Sequence, residues 1–293
     1  MPNMTTIQTQ PYITPPGKID FPFTYVFDGT GLTDGQAYQD IQVPLQGDSD
    51  FILRHICGVN SVSTKFSYKN PSREYAMGNI STGVTFPNNW PVLPEKLYAI
   101  NRAIYFNLYD VSRAFTACGG TPIYNSYIGF FGVKRFDKSA IDLYDTQYDY
   151  RVLPQAYSYS LTLSVSNPHF SAGTDVNPPL RQYQAMDRYD FQLLSIEIAQ
   201  PGSTTPLTTN DFMITLYDSK NHQLSNLPLK APWINFARNS PSAAPSHQAV
   251  WPTPPIVYPG GSTIIFDITS QLCSTSLPQS YNIVFNGLWR IPV

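Results

Sequence analysis

Charge is scarce in this chain. Asp, Glu, Lys and Arg make up 13% of its 293 residues, against about 25% in ordinary soluble domains. The net charge is −2, and no cluster of Lys and Arg suited to neutralising phosphates occurs anywhere, so direct nucleic-acid binding is not expected. Long apolar runs are also missing. None approaches the roughly 18 residues of a membrane span, and Met1 to Thr6 lack the charged start and apolar core of a secretory signal. No membrane contact is expected, and synthesis as a soluble intracellular protein is. Cysteine is limited to Cys57, Cys118 and Cys273. An odd number without close spacing fits reduced, buried thiols better than a disulfide framework.

Catalytic signatures are lacking as well. Nothing matches a phosphate-binding loop, a dinucleotide fingerprint, a serine elbow or a zinc-protease helix. His55, His169, His222 and His247 are scattered, and no His or Cys falls at metal-ligand spacing. His55, beside Arg54 in an expected strand, reads as a polar or hydrogen-bonded position rather than a base. No pair of carboxylates suited to a sandwich glycosidase, which needs about 5 to 9 Å between them, can be picked out. The turn Asp28-Gly29-Thr30-Gly31-Leu32-Thr33-Asp34-Gly35 offers oxygens to a hard cation without EF-hand spacing, and a glycine-rich hairpin turn accounts for it without metal. No catalytic, cofactor-binding or metal residues are assigned, no cofactor is expected, and an enzyme is the least supported class.

What is abundant is aromatic and turn-forming: Tyr (20), Phe (17) and Pro (27). With few Lys and Glu to favour helix, this balance is β-rich and loop-rich. Residues 1 to 18, carrying Pro11, Pro15, Pro16 and Gly17, read as an extended arm. Beyond it, Phe21, Phe23, Tyr25 and Phe27 alternate as a strand, and Ile41 to Leu45, Asp50 to Ile56, Thr64 to Tyr68 and Ala103 to Leu108 follow, with a Pro-bearing connection at Trp90-Pro91-Val92-Leu93-Pro94. Tyr157, Tyr159, Leu161, Leu163 and Val165 give the clearest alternation.

The order then repeats. Tyr127 to Arg135 resembles Tyr281 to Arg290, with Phe130 and Phe285, Gly132 and Gly287, and Arg135 and Arg290 each 155 apart. Asp50-Phe51-x-Leu53-x-x-Ile56 matches Asp190-Phe191-x-Leu193-x-x-Ile196 at a spacing of 140, and Ala103 to Leu108 matches Thr263 to Ile268 at 160. Phe212 to Ser219 takes the place of the Thr64 to Tyr68 strand, and Pro252 to Pro259 that of the Trp90-Pro91 connection. Unequal spacings mean insertions between shared strands. The expected fold is all-β: two tandem antiparallel β-sandwich domains, both jelly-roll-like, with an immunoglobulin-like topology as the alternative, and an extended N-terminal arm. The boundaries are an arm at 1–18, a first sandwich at 19–136, an acidic, Tyr-rich linker at 137–152 and a second sandwich at 153–293.

Trp90, Trp233, Trp251 and Tyr258, on expected loops, suit either stacking on sugar rings or anchoring a protein interface, whereas Trp289 reads as core or edge packing. The Asp-Phe-x-Leu-x-x-Ile strand, the Pro-rich loop, the Phe-x-Gly-x-x-Arg closing strand, and Leu224-Ser225-Asn226-Leu227-Pro228 after Tyr217-Asp218-Ser219-Lys220 resemble virion proteins of tailed bacteriophages. That resemblance implies a non-enzymatic virion structural protein made in the host cytoplasm. It would be a capsid cement or decoration protein, or a collar or anchor protein at the head-to-tail junction. Its partners would be capsid or connector proteins of the same particle, and a homo-oligomer is expected. A carbohydrate- or receptor-binding spike module and a double-jelly-roll capsid shell protein remain open.

Overall fold

The computed structural model describes residues 15, 17–29, 32–33, 36–58, 65–70, 73–79, 89–109, 115–118, 121–124, 127–137, 150–163, 179–202, 211–234, 252, 254–270 and 279–292. The arm before Pro15, most of the linker, Asp34 and Trp251 lie outside them.

The first half contains β1 (Lys18–Asp28), β2 (Tyr38–Pro44), β3 (Asp50–Gly58), β4 (Lys65–Asn70), β5 (Arg73–Asn79), β6 (Asn89–Tyr98), β7 (Ala103–Tyr109), the hairpin β8 (Phe115–Cys118) and β9 (Thr121–Tyr124), and β10 (Tyr127–Asp137). The second contains β11 (Tyr150–Leu163), β12 (Leu180–Ala185), β13 (Asp190–Ala199), β14 (Phe212–Leu216), β15 (Leu229–Lys230), the single helical turn α1 (Ala231–Ile234), β16 (Ile256–Tyr258), β17 (Thr263–Ser270) and β18 (Gln279–Pro292). The sheets run β1-β10-β3-β6 and β2-β7-β4-β5, then β11-β18-β13-β16 and β12-β17-β14-β15. With the β8–β9 hairpin set aside as an insertion, strands numbered one to eight within each half take the orders 1-8-3-6 and 2-7-4-5 both times. This is the two-sheet, double Greek-key order of a jelly roll, used twice.

The repeat extends to individual contacts. Tyr25 stacks edge-on against Phe51 at 4.9 Å, and Tyr157 against Phe191 at 5.0 Å. Phe27 meets Phe106 at 5.1 Å, as Tyr159 meets Phe266 at 5.1 Å. Phe106 and Phe130 lie 5.4 Å apart, as do Phe266 and Phe285. These rings fill the space between the facing sheets and leave little freedom in how the sheets cross.

The backbone corners are copied too. The Asp50 carboxylate accepts from the Ile100 amide at 3.0 Å, and that of Asp190 from the Gly260 amide at 2.9 Å. One residue on, Asn101 and Gly261 both adopt positive φ, 61° and 72°, a conformation that Asn and Gly tolerate. The Tyr25 hydroxyl accepts from the Gln46 amide, and the Tyr157 hydroxyl from the Asp187 amide.

Gly132 and Gly287 mark a shared β-bulge, where the register of β10 on β3 shifts between Phe131 and Gly132 and that of β13 on β18 between Leu193 and Ser195. At both places an aromatic ring from the neighbouring strand, Phe51 or Phe191, lies over the glycine. Bulges of this kind bend a strand around a core.

β1 begins at Lys18, the last residue of the expected arm. One expectation needs adjustment. Trp90 to Pro94, expected as a connection, belongs to β6; this is an edge strand, where a missing N–H costs no ladder bond, and its register on β3 shifts near the prolines. The arginines of the repeat also differ in partner. Arg135 faces the buried Asp20 across the ladder and binds it with two parallel bonds of 2.7 and 2.8 Å, whereas Val152 faces Arg290.

Candidate functional site

The two sandwiches meet along the outer edge and face of the first β1-β10-β3-β6 sheet. β1 ends that sheet, so the outward N–H and C=O groups of Thr24 and Val26 need partners. They find them in Leu224 to Asn226, a segment between β14 and β15 that lies parallel to β1. The Thr24 amide donates to the Leu224 carbonyl at 3.1 Å, and the Asn226 amide donates to the Thr24 carbonyl at 3.3 Å. The Asn226 side chain then imitates one more peptide: its oxygen accepts from the Val26 amide at 2.7 Å and its nitrogen donates to the Val26 carbonyl at 3.2 Å. Leu224-Ser225-Asn226 therefore acts as a short added strand that clasps the halves together.

Behind the clasp the junction is apolar. Val26, Cys57 and Phe131 are buried and join the hydrophobic cluster of the second sandwich. The Trp233 ring of α1 packs edge-on against Phe131 at 6.0 Å, over Gly129, where a Cβ would come within 3.0 Å of the indole. The second sandwich carries Ser158, Glu197, Asn286 and Val284 at the positions equivalent to Val26, Cys57, Phe131 and Gly129. Burial holds the Cys57 thiol far above its ordinary pKa, so it is protected from alkylation and oxidation. Lys230, fully buried at the end of β15, has its ammonium pushed down to about 7 by burial, with the charge of Asp28 acting the other way.

At one end the junction opens into a cleft of about 640 Å³ lined by both sandwiches. The first contributes Phe21, Phe23, Gln46, Asp48, Lys134 and Phe136, the second Asp218, Lys220, His222 and Gln223. The Lys134 ammonium donates to Gln46 Oε1 and, at 2.7 Å, to Asp48 Oδ2, and lies 4.2 Å from the centre of the Phe23 ring. Burial lowers its pKa while the Asp48 bond supports the charge. The Asp218 carboxylate accepts from the Lys220 and His222 amides at 2.8 Å each and contacts His222 Nδ1 at 3.0 Å. This is a side-chain-stabilised turn, and Asn221 within it has φ of 64°. Both carboxylates hold donors in place, Asp48 the Lys134 ammonium and Asp218 the turn amides.

No family model and no curated protein matches this sequence. Solved structures similar to it include three chains from viruses. A chain described with the triple jelly roll fold and turret assembly of an archaeal virus shares 10% identity over 94% of this chain, with a TM-score of 0.23. This chain spans only 59% of that one's length. A chain of Sulfolobus turreted icosahedral virus shares 12% identity over 93% of this chain and 90% of its own, with a TM-score of 0.22. One from infectious bursal disease virus, Gt strain, shares 10% over 97% of this chain and 84% of its own, at 0.16. Superpositions this loose carry no argument; the jelly-roll assignment rests on strand order.

Of the aromatic candidates, Trp233 and Tyr258 are not exposed stacking platforms. Trp233 is 7% exposed and seals the junction, and Tyr258 is fully buried in β16 with its hydroxyl on the Tyr217 carbonyl. Trp289 is packed as expected, its indole N–H donating to the Tyr157 hydroxyl at 2.9 Å. Trp251 and the side chain of Trp90 lie outside the described residues. His55 is half-buried within β3. Among the described residues no group of His, Cys, Asp and Glu is placed to hold a metal. Strand-by-strand reasoning missed the junction, yet a signal existed: Val26 against Ser158, Cys57 against Glu197 and Phe131 against Asn286 are apolar in one copy of the repeat and polar in the other.

Proposed function

We propose that this chain is a non-enzymatic structural protein of a virion. The observation that carries this reading is the pair of jelly rolls locked edge to face, with the aspartates at their corners committed to structure. Asp20, Asp50, Asp190 and Asp218 each hold a backbone corner or an arginine. A two-lobed chain with few charged residues is suited to packing in a symmetric shell, where many modest contacts add by avidity.

In its finer form the proposal is a cement or decoration protein bound to the capsid of a tailed bacteriophage, or a collar or anchor protein at its head-to-tail junction. It would be made in the host cytoplasm and work as a homo-oligomer with capsid or connector proteins as partners. The duplication favours one second reading, a shell subunit in its own right, because two similar rolls held at a fixed angle offer two nearly equivalent sets of lateral contacts. Sedimentation and electron microscopy of the purified chain, alone and mixed with particles assembled without it, separate these. Saturable binding at a fixed copy number supports decoration or collar, and closed shells from the chain alone support the shell subunit. A monodisperse protein that neither assembles nor binds particles overturns the virion reading.

A further inference from the structure

We propose that the cleft between the sandwiches is a binding site for a short, neutral, hydroxyl-rich ligand, of the chemistry of a di- or trisaccharide. This goes beyond the structural role and does not depend on it. At about 640 Å³, the cleft falls within the range of small-molecule sites, roughly 300 to 1,000 Å³.

Among the described residues that line it, formal charges balance, with Asp48 and Asp218 against Lys134 and Lys220. Lys134 is already committed to Asp48, Gln46 and the Phe23 ring, so it is not available to capture an anion. The polar groups that remain are those hydroxyls use. Asp48 is half exposed, its side chain at 48%. The Gln46 amide nitrogen, the Lys220 ammonium and His222 Nε2 have no partner among the described residues.

The apolar side of the cleft comes from Phe21 and Phe136, both half-buried, with rings edge to face at 6.0 Å. A flat array of sugar C–H bonds packs on such rings while its hydroxyls reach the carboxylate and amides. Because Phe21, Asp48 and Phe136 belong to one sandwich and Lys220 and His222 to the other, a ligand here would bridge the two.

A glycan array carrying neutral, sialylated and sulfated oligosaccharides, probed with the full chain, tests this. Neutral glycans should bind, and Phe21→Ala and Asp48→Asn should each weaken them at least tenfold. Saturation-transfer NMR on the unmodified protein should show ring C–H protons of the sugar receiving magnetisation from the aromatic side chains, which keeps the test valid if a variant fails to fold. No binding of any glycan, preference for acidic glycans, or variants that fold and bind as the parent does would each overturn the proposal.

Discussion

Gly132 and Gly287 each face a carbonyl that leaves no room for a side chain. A Cβ on Gly132 would lie 2.0 Å from the Ile52 oxygen, and one on Gly287 would lie 2.1 Å from that of Gln192. Those oxygens belong to neighbouring strands, so relief requires opening the bulge itself. Gly132→Ala and Gly287→Ala should each destabilise the protein by at least about 2 kcal/mol in chemical denaturation, and a neutral effect at either position would contradict the shared bulge. Lys230 makes a prediction of opposite character. Its folded pKa of about 7 lies below the roughly 10.4 of an unfolded lysine, so between those values the unfolded chain binds more protons. Stability should therefore rise with pH across that window, and below pH 7 the full penalty of the buried charge is present. Lys230→Met should flatten the slope of stability against pH from 7 to 10 and raise the melting temperature at pH 7.

Among the elements, the clasp is the one whose function the linear pattern concealed. Alternation of Phe21, Phe23, Tyr25 and Phe27 exposes the core face of β1, and paired motifs expose the closing strands, because a face packed on one core leaves a period of two. The same rule hides a strand buried on both sides: Thr24 and Val26 read as an outward face until the second sandwich is seen to cover it. Leu224-Ser225-Asn226 has no periodicity, being a single turn of chain held by backbone groups and one amide. The cleft is equally invisible in sequence, since its walls come from residues 21–136 on one side and 218–225 on the other. Removing the Asn226 side chain should cost about 1 to 3 kcal/mol, because the backbone of the buried Val26 loses two hydrogen bonds. Cys57 offers a direct readout. In a chain with Cys118 and Cys273 replaced by Ser, Asn226→Ala should speed alkylation of Cys57 by an order of magnitude or more, and an unchanged rate would mean that the clasp does not hold the junction closed.

At the scale of the molecule, the question is whether the two rolls are separable domains, as the boundaries 19–136 and 153–293 propose. Each has its own eight-strand topology and its own aromatic core, which argues for autonomy. The junction argues for dependence, and unequally. The first roll without its partner would expose Val26, Cys57 and Phe131 together with the unpaired edge of β1, a combination that promotes edge-to-edge association. The second roll would mainly uncover Trp233 and the Leu224 side of its core. Deleting residues 281–293 removes most of β18, the strand between β11 and β13, and should unfold the second roll. The first roll should then persist but self-associate. Fragment 19–136 with Val26→Ser, Cys57→Glu and Phe131→Asn, the residues at the equivalent places in the second roll, should be monomeric by sedimentation and melt cooperatively where the unmodified fragment aggregates. If the substituted fragment is unfolded, the first roll is not an independent domain, and the chain is a single folding unit built from a duplicated plan.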